Sequence, residues 1–369
     1  MSEDRWSAHA AELREPHEIA TQWQGAGDTD PALLRHRVRG PFWETLEELG
    51  VTLLVSREYE HLLLSLAPGG RVGFLRVPHP SGIAVDAKRG RVHVASTRNP
   101  NQLFELGPLD ADERPLVPLR TRFLPGSLYL HDLAMVGGRL HGNAVGQNAV
   151  VRLSYDDPGW ERVWSPRVVE DFSVNHLQLN SIAAGPTLKR SFFSASAAAP
   201  GARRPGMRNW PVDRRGVIFS GATGDVVATG LTRPHSARFA PGGELWVDDS
   251  GYGEVGIVRD GGFEAVARLP GWTRGLCFVD DVAVVATSRV LPRFRNYAPG
   301  LDVEGSVCGI HLIEPAGGHV RASLIWPAGN QVFAVEAVPM SFSLGFPFRL
   351  RARAAAVRAL FSTLKEPSE

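Results

Sequence analysis

Four short stretches, "PHPSG", "YLHDLA", "NHLQLNS" and "RPHSAR", carry imidazoles at His79, His131, His176 and His235. Each leads into an apolar, strand-like run. Neutral imidazole is the commonest protein ligand for zinc, copper and iron, and three of them leave positions open for water or substrate. His131, His176 and His235 therefore make a candidate site for a divalent transition metal (Fe, Cu or Zn), with His79 as a further ligand. Asn180 and Asp132 are candidates to orient those ligands by hydrogen bonds. Arg274 can clamp a carboxylate or phosphate through a planar two-point contact; the plainer alternative is an ion pair with Asp248 or Asp249. The same residues also suit a metal-free ligand or acid–base site, or the polar lining of a wet channel.

Residues so far apart in sequence meet only if the chain repeats. It does. From Val51 onward a unit recurs: a small or polar residue, one more residue, an apolar–small–apolar triplet, a glycine turn and a second strand. It reads "SGIAVDAKRGRVHVAS" from Ser81, "HDLAMVGGRLHGNAV" from His131 and "NSIAAGPTLKRSFFSAS" from Asn180. It returns as "HSARFAPGGELWVDDS" from His235 and "RGLCFVDDVAVVATS" from Arg274, and in degraded form as "FAVEAVPM" from Phe333. The starts lie 50, 49, 55, 39 and 59 residues apart, the size of a four-stranded blade with variable loops. The expected fold is all-β, a six-bladed β-propeller with short helical N- and C-terminal extensions. Its boundaries are a helical extension over 1–48, the propeller over 49–345 and a basic C-terminal helix over 346–369. "VTLLVS" and "HLLLSLAP" are expected to complete the last blade, begun by "CGIHLIEP" and "RASLIWPA", so that the ends of the chain close the ring. Residues 186–216, rich in proline, glycine and arginine, form the longest insertion, either a solvated loop or a lid over one mouth.

Composition narrows the classes. The 369 residues are 43% hydrophobic and 21% charged with a net charge of +1, which suits a soluble globular protein and offers no general field for nucleic acid or membrane. Cys277 and Cys308 lie in apolar runs and read as buried free thiols in a reducing compartment. The charged N-terminus has no apolar core, and no apolar run approaches a membrane span, so a cytoplasmic location is expected. No "GxSxG", "HExxH", "GxxxxGK[ST]" or "CxxC" is present.

The stretch "PHSARFAPGGELWVDDSGYGEV" resembles the blade signature of gluconolactonase-like and strictosidine-synthase-like six-bladed propellers. In lactonases of that group an asparagine or aspartate at a blade start ligates a divalent metal; Asn180 and His235 stand at that kind of position here. More of the chain, from "FWETLEELGVTLLVS" to "FAVEAVP", is similar to a bacterial family known as domain of unknown function 4915. The motifs "HDLA", "NHLQLNSIA", "GLTRPHSARF" and "LPGWTRGLCF" occur in its order, with "PHSAR" where the family usually has "PHSPR". That resemblance implies histidines at His131, His176 and His235, but no activity.

The leading expectation is a metal-dependent enzyme at the channel mouth, with iron or copper oxidising a small molecule or peptide. Zinc would favour hydrolysis instead, because its bound water is a nucleophile near neutral pH. A third possibility is a lactonase using a carboxylate such as Asp132, Glu304 or Glu336. A fourth is a metal-free scaffold holding a peptide or protein partner over the channel.

Overall fold

The computed structural model describes residues 29–349. The helices expected within 1–28, and most of the basic helix expected over 346–369, lie outside the described residues. Six sheets, four of four strands and two of five, form a six-bladed β-propeller. The innermost strands are Pro80–Asp86, Leu130–Val136, Leu179–Ala183, Pro234–Phe239, Trp272–Val279 and Ala334–Pro339, one per blade. All strand pairs are antiparallel, as the short glycine turns of the repeat require.

Blades stack face to face, so their inner strands are buried on both sides. That is why they read as continuous apolar runs rather than alternating ones. Val51–Arg57 and Leu62–Ala67 are buried at every position. Outer strands such as Trp160–Trp164 and Gly262–Arg268 are half-exposed. Neighbouring inner strands approach very closely. A Cβ on Gly82 would stand 2.4 Å from the backbone nitrogen of Leu133 in the next blade. Only glycine fits there.

Ring closure differs from the expectation. The sixth blade is Ala334–Pro339 followed by three strands from the other end of the chain, Val51–Arg57, Leu62–Ala67 and Arg71–Arg76. "CGIHLIEP" and "RASLIWPA" supply the two outer β-hairpin strands of the fifth blade instead, after a long insertion. The degraded sixth repeat is thus a lone inner strand, and its register with Val51–Arg57 joins the ends of the ring. The N-terminal region is also not wholly helical. Arg37–Arg39 adds a fifth strand to the fifth blade, and among its described residues only Phe42–Glu48 forms an α-helix, its buried Phe42 and Leu46 meeting the core. At the other end Phe348–Arg349 pairs with Gly73–Phe74 as a strand rather than opening a helix. Among the described residues no helix is long and apolar enough to cross a membrane.

Ser56 stitches this closure. Its hydroxyl donates to the Ser81 carbonyl of the first blade at 2.6 Å and accepts from the Ala334 amide at 3.0 Å. Ser56→Ala leaves both backbone groups buried without that partner and should lower stability by about 1–3 kcal/mol. Urea denaturation of the variant beside the wild type measures the loss.

Candidate functional site

Each of four consecutive blades begins the same way. The residue just before the inner strand is in the left-handed region: His79 (φ 46°), Tyr129 (φ 52°), Gln178 (φ 52°) and Arg233 (φ 56°). None is glycine, so each carries local strain of a kind that clusters at functional sites. The turns bring Gln178 beside His131 and set Arg233 and His235 on one pocket at the mouth, while Leu130 and Leu179 pack into the core. Side-chain bonds between blades hold the arrangement. Ser81 Oγ donates to the Leu130 carbonyl at 2.8 Å and Asn180 Nδ2 to the Pro234 carbonyl at 2.8 Å.

His235 sits in this ring, 2% exposed. Its Nδ1 is 2.9 Å from Ser250 Oγ, and that hydroxyl donates its own proton to the Thr273 carbonyl at 2.6 Å. The hydroxyl proton is therefore spoken for, and Nδ1 must be the donor of the pair. His235 is fixed as the Nδ1–H tautomer with a bare lone pair on Nε2, which has no protein partner. Burial holds its pKa well below the ordinary histidine value, and the Arg274 and Arg233 guanidiniums and His131 add to the effect. His131, 5% exposed, lies edge-on to Tyr129 and Phe333 with its Nε2 3.5 Å from Gln178 Nε2. Burial, Arg274 and Arg233 also hold its pKa well down, while Asn180 partly opposes them. Its Nδ1 and Asn180 Oδ1 each lack a well-aligned hydrogen bond.

Arg274 is 7% exposed, with its guanidinium carbon 3.2 Å from the centre of the Phe333 ring. Its Nη1 meets the Gln331 amide oxygen at 3.1 Å, and the Gln331 amide nitrogen donates to Glu58 Oε2 at 3.2 Å. Glu58, 4% exposed, also accepts from Thr97 Oγ1 at 2.5 Å and faces Arg98 at 3.6 Å and His79 at 4.0 Å. Arg274 Nη2 has no partner, and burial lowers the pKa of the group to about 10. Arg233 lies over Trp210 and Tyr297, at 5.5 and 4.8 Å from their ring centres, with Nε unpartnered.

These groups open on a pocket walled by Tyr59, Trp272, Val290, Leu291, Phe294 and Tyr297. Two insertions roof this side of the mouth. The one over 186–216 brings in the buried Trp210, while its 201–209 stretch is mostly exposed, so it is lid and solvated loop at once. The other contributes the 3-10 turn Pro292–Tyr297.

The residues expected from sequence divide. His131, His235, Arg274 and Asn180 meet at the mouth, and His79 stands at its rim beside His61 and Glu58. His176 does not join them. Its Nε2 faces Asp171 at 3.3 Å, and its backbone amide is tied to Asn148 Oδ1, while Gln178, two residues on, occupies the place beside His131. Asp132 is not free to orient a ligand either. Both its oxygens bind Arg238, at 2.8 and 3.0 Å, and one also accepts from the Ile182 amide. Glu336 joins the same arginine at 3.3 Å, and Glu304 pairs with Arg295 on the surface. Asp248 and Asp249 do not pair with Arg274; Asp249 faces Arg214 at 3.2 Å, and Asp248, wholly buried beside Ser236 and Gly275, has its pKa pushed well up by burial. Among the described residues no three His, Cys, Asp or Glu side chains are placed to hold a metal ion. The two buried guanidiniums beside the His131 and His235 imidazoles favour an anion over a divalent cation.

The sequence points to Ser250 as a channel-side partner of the histidines and to Trp210 and Trp272 as shaping a mouth, but not to Glu58, Gln331, Arg233, Tyr59, Phe294 or Tyr297. Glu58 and Gln331 reach the mouth only through ring closure. Arg233 was visible as the neighbour of "PHS", but nothing in its sequence context announces a left-handed backbone.

No curated protein matches the sequence. Among solved structures, a chain of a nidogen/laminin complex aligns with TM-score 0.55 at 10% identity, over 78% of this chain and 98% of that one. A protein of unknown function from Bacteroides caccae aligns with TM-score 0.50 at 10% identity, over 78% and 99%. A putative gluconolactonase aligns with TM-score 0.47 at 15% identity, over 76% and 89%. At these identities the likeness is one of fold. The sequence profile described as "Domain of unknown function (DUF4915)" matches residues 40–343, and the chain belongs to that family.

Proposed function

We propose that this member of the DUF4915 family is an enzyme in which His235 acts as a metal-free general base on a small organic anion held at the channel mouth. One observation carries the reading: an imidazole lining the pocket whose tautomer is set by Ser250 and whose buried Nε2 has no hydrogen-bond partner. A general base needs a fixed lone pair within reach of the proton it takes. The proton would pass from the substrate to Nε2, and the imidazolium would keep its Nδ1–H bond to Ser250. In the empty site Arg274 and Arg233 disfavour that cation. A bound anion offsets their charge, so His235 becomes a better base when substrate is present.

Nitrogen-15 NMR of histidine-labelled protein tests this. His235 should remain neutral as the Nδ1–H tautomer at pH 6, and Ser250→Ala should admit the other tautomer. An imidazolium at pH 7 in the free protein would overturn the reading.

The second reading is the transition-metal enzyme expected from sequence, with His131 Nδ1 and His235 Nε2 as the ligands; their lack of partners favours it. Elemental analysis of tag-free protein purified without chelators separates the two. About one equivalent of iron, copper or zinc, lost in a folded His131→Ala/His235→Ala variant, would establish the metal and redirect assays to oxidation or hydrolysis.

A further inference from the structure

We infer that the anion taken at this mouth is an organic monocarboxylate with a flat, apolar body, aromatic in the simplest case. This rests on reading the mouth as a substrate site. The first support is charge. Three arginines, Arg233, Arg274 and Arg289, line the pocket and no carboxylate does; Glu58 stands behind Gln331, shared between Arg274 and Arg98. The surplus of positive charge calls for an anion.

The second support is the pair of free donors on side chains that line one pocket. Arg274 is buried and its plane is set by Phe333, yet Nη2 has no partner; Arg233 likewise has Nε unpartnered. An unpaired buried guanidinium nitrogen is costly, and a ligand oxygen removes that cost. Two donors match the two oxygens of a carboxylate. A phosphate dianion would bring more oxygens and more charge than these two donors answer.

The third support is the wall. Beyond the guanidiniums the pocket is lined by Trp272, Phe294, Tyr297, Val290 and Leu291. Trp272 is 8% exposed, and its ring centre is 6.0 Å from that of His235. The enclosed space is only about 50 Å³, so a flat apolar group leaving the carboxylate would lie against these rings at the open end of the pocket.

Phenylacetate, phenylacetamide and inorganic phosphate are the probes, each titrated into the full chain by calorimetry and by the fluorescence of its tryptophans. Phenylacetate should saturate one site, with phenylacetamide and phosphate each about tenfold weaker or more. Arg274→Met should weaken phenylacetate by about ten- to a hundredfold, the loss expected for a charge-assisted bond. His176→Ala, outside the pocket, should leave its affinity unchanged. If Arg274→Met fails to melt cooperatively, Arg274→Lys serves: it keeps the charge, loses the planar fork and should still weaken phenylacetate severalfold. Phosphate binding more tightly than phenylacetate, no saturable phenylacetate binding, or affinity untouched by either substitution would overturn the proposal. None of those results bears on the state of His235, which the NMR titration decides separately.

Discussion

Arg238→Met should lower the stability of the protein by about 3–5 kcal/mol at pH 7, the cost of breaking a buried ion pair by removing one partner. Arg238 lies inside the ring and binds Asp132 with both terminal nitrogens, while a third contact reaches Glu336 at 3.3 Å. It also donates to the Ile182 and Ala237 carbonyls at 3.1 and 3.0 Å. One side chain thereby joins the second, third, fourth and sixth blades. Without it two carboxylates face each other in a poorly solvated place.

The pH dependence has a definite sign. Burial raises Glu336 to about 7 even with Arg238 present, and Asp132 adds to that rise. A carboxyl whose folded pKa lies above its unfolded value holds a proton that the unfolded chain releases. Its contribution is present below the unfolded pKa and is lost as pH rises through about 4 to 7. Removing Arg238 strengthens this effect, so the deficit of the variant should shrink between pH 7 and pH 5. Urea denaturation at the two pH values measures it. An equal deficit at both would mean that the arginine acts by packing alone. Replacing the trio together, as Asp132→Asn/Arg238→Met/Glu336→Gln, should recover most of the loss.

His235→Gln should slow proton transfer from a bound substrate by about 10²–10⁴-fold, the usual contribution of a positioned general base. Proton NMR in D2O, with a panel of aryl-substituted monocarboxylates, follows this whatever the product is. Abstraction at carbon appears as exchange of a C–H signal, and conversion as new signals. The wild-type rate should persist well below pH 6.5, because burial, Arg274 and Arg233 keep the free imidazole neutral there. Arg274→Met removes one of those cations and should move the acid limb of the profile to higher pH. Unchanged rates in His235→Gln on a substrate that the wild type converts would reject His235 as the base.

The ring itself was legible because a propeller blade is a local object. Each repeat brings its strands together over short turns, so apolar runs, glycines and spacing report it directly. The imidazoles at His131 and His235 were legible for the same reason: an inner strand begins at the mouth in every blade. His176 misled because it stands two residues before the left-handed Gln178, and that turn sends Gln178, not the histidine, toward His131. Asp132 misled because its partner, Arg238, is more than a hundred residues away in sequence.

By itself the sequence determined the all-β class, the number of blades, the family and which strands lead histidines to the mouth. Only the tertiary structure decided how the ring closes, with Ala334–Pro339 joined to Val51–Arg57, and which polar groups remain unpaired. It also decided that the mouth is crowded with guanidiniums. These are long-range matters. Whether His235 is a ligand, a base or a structural group depends on Ser250, Arg274 and Arg233, which reach it from neighbouring strands. Charge and hydrogen bonding act through space, where periodicity along the chain gives no reading.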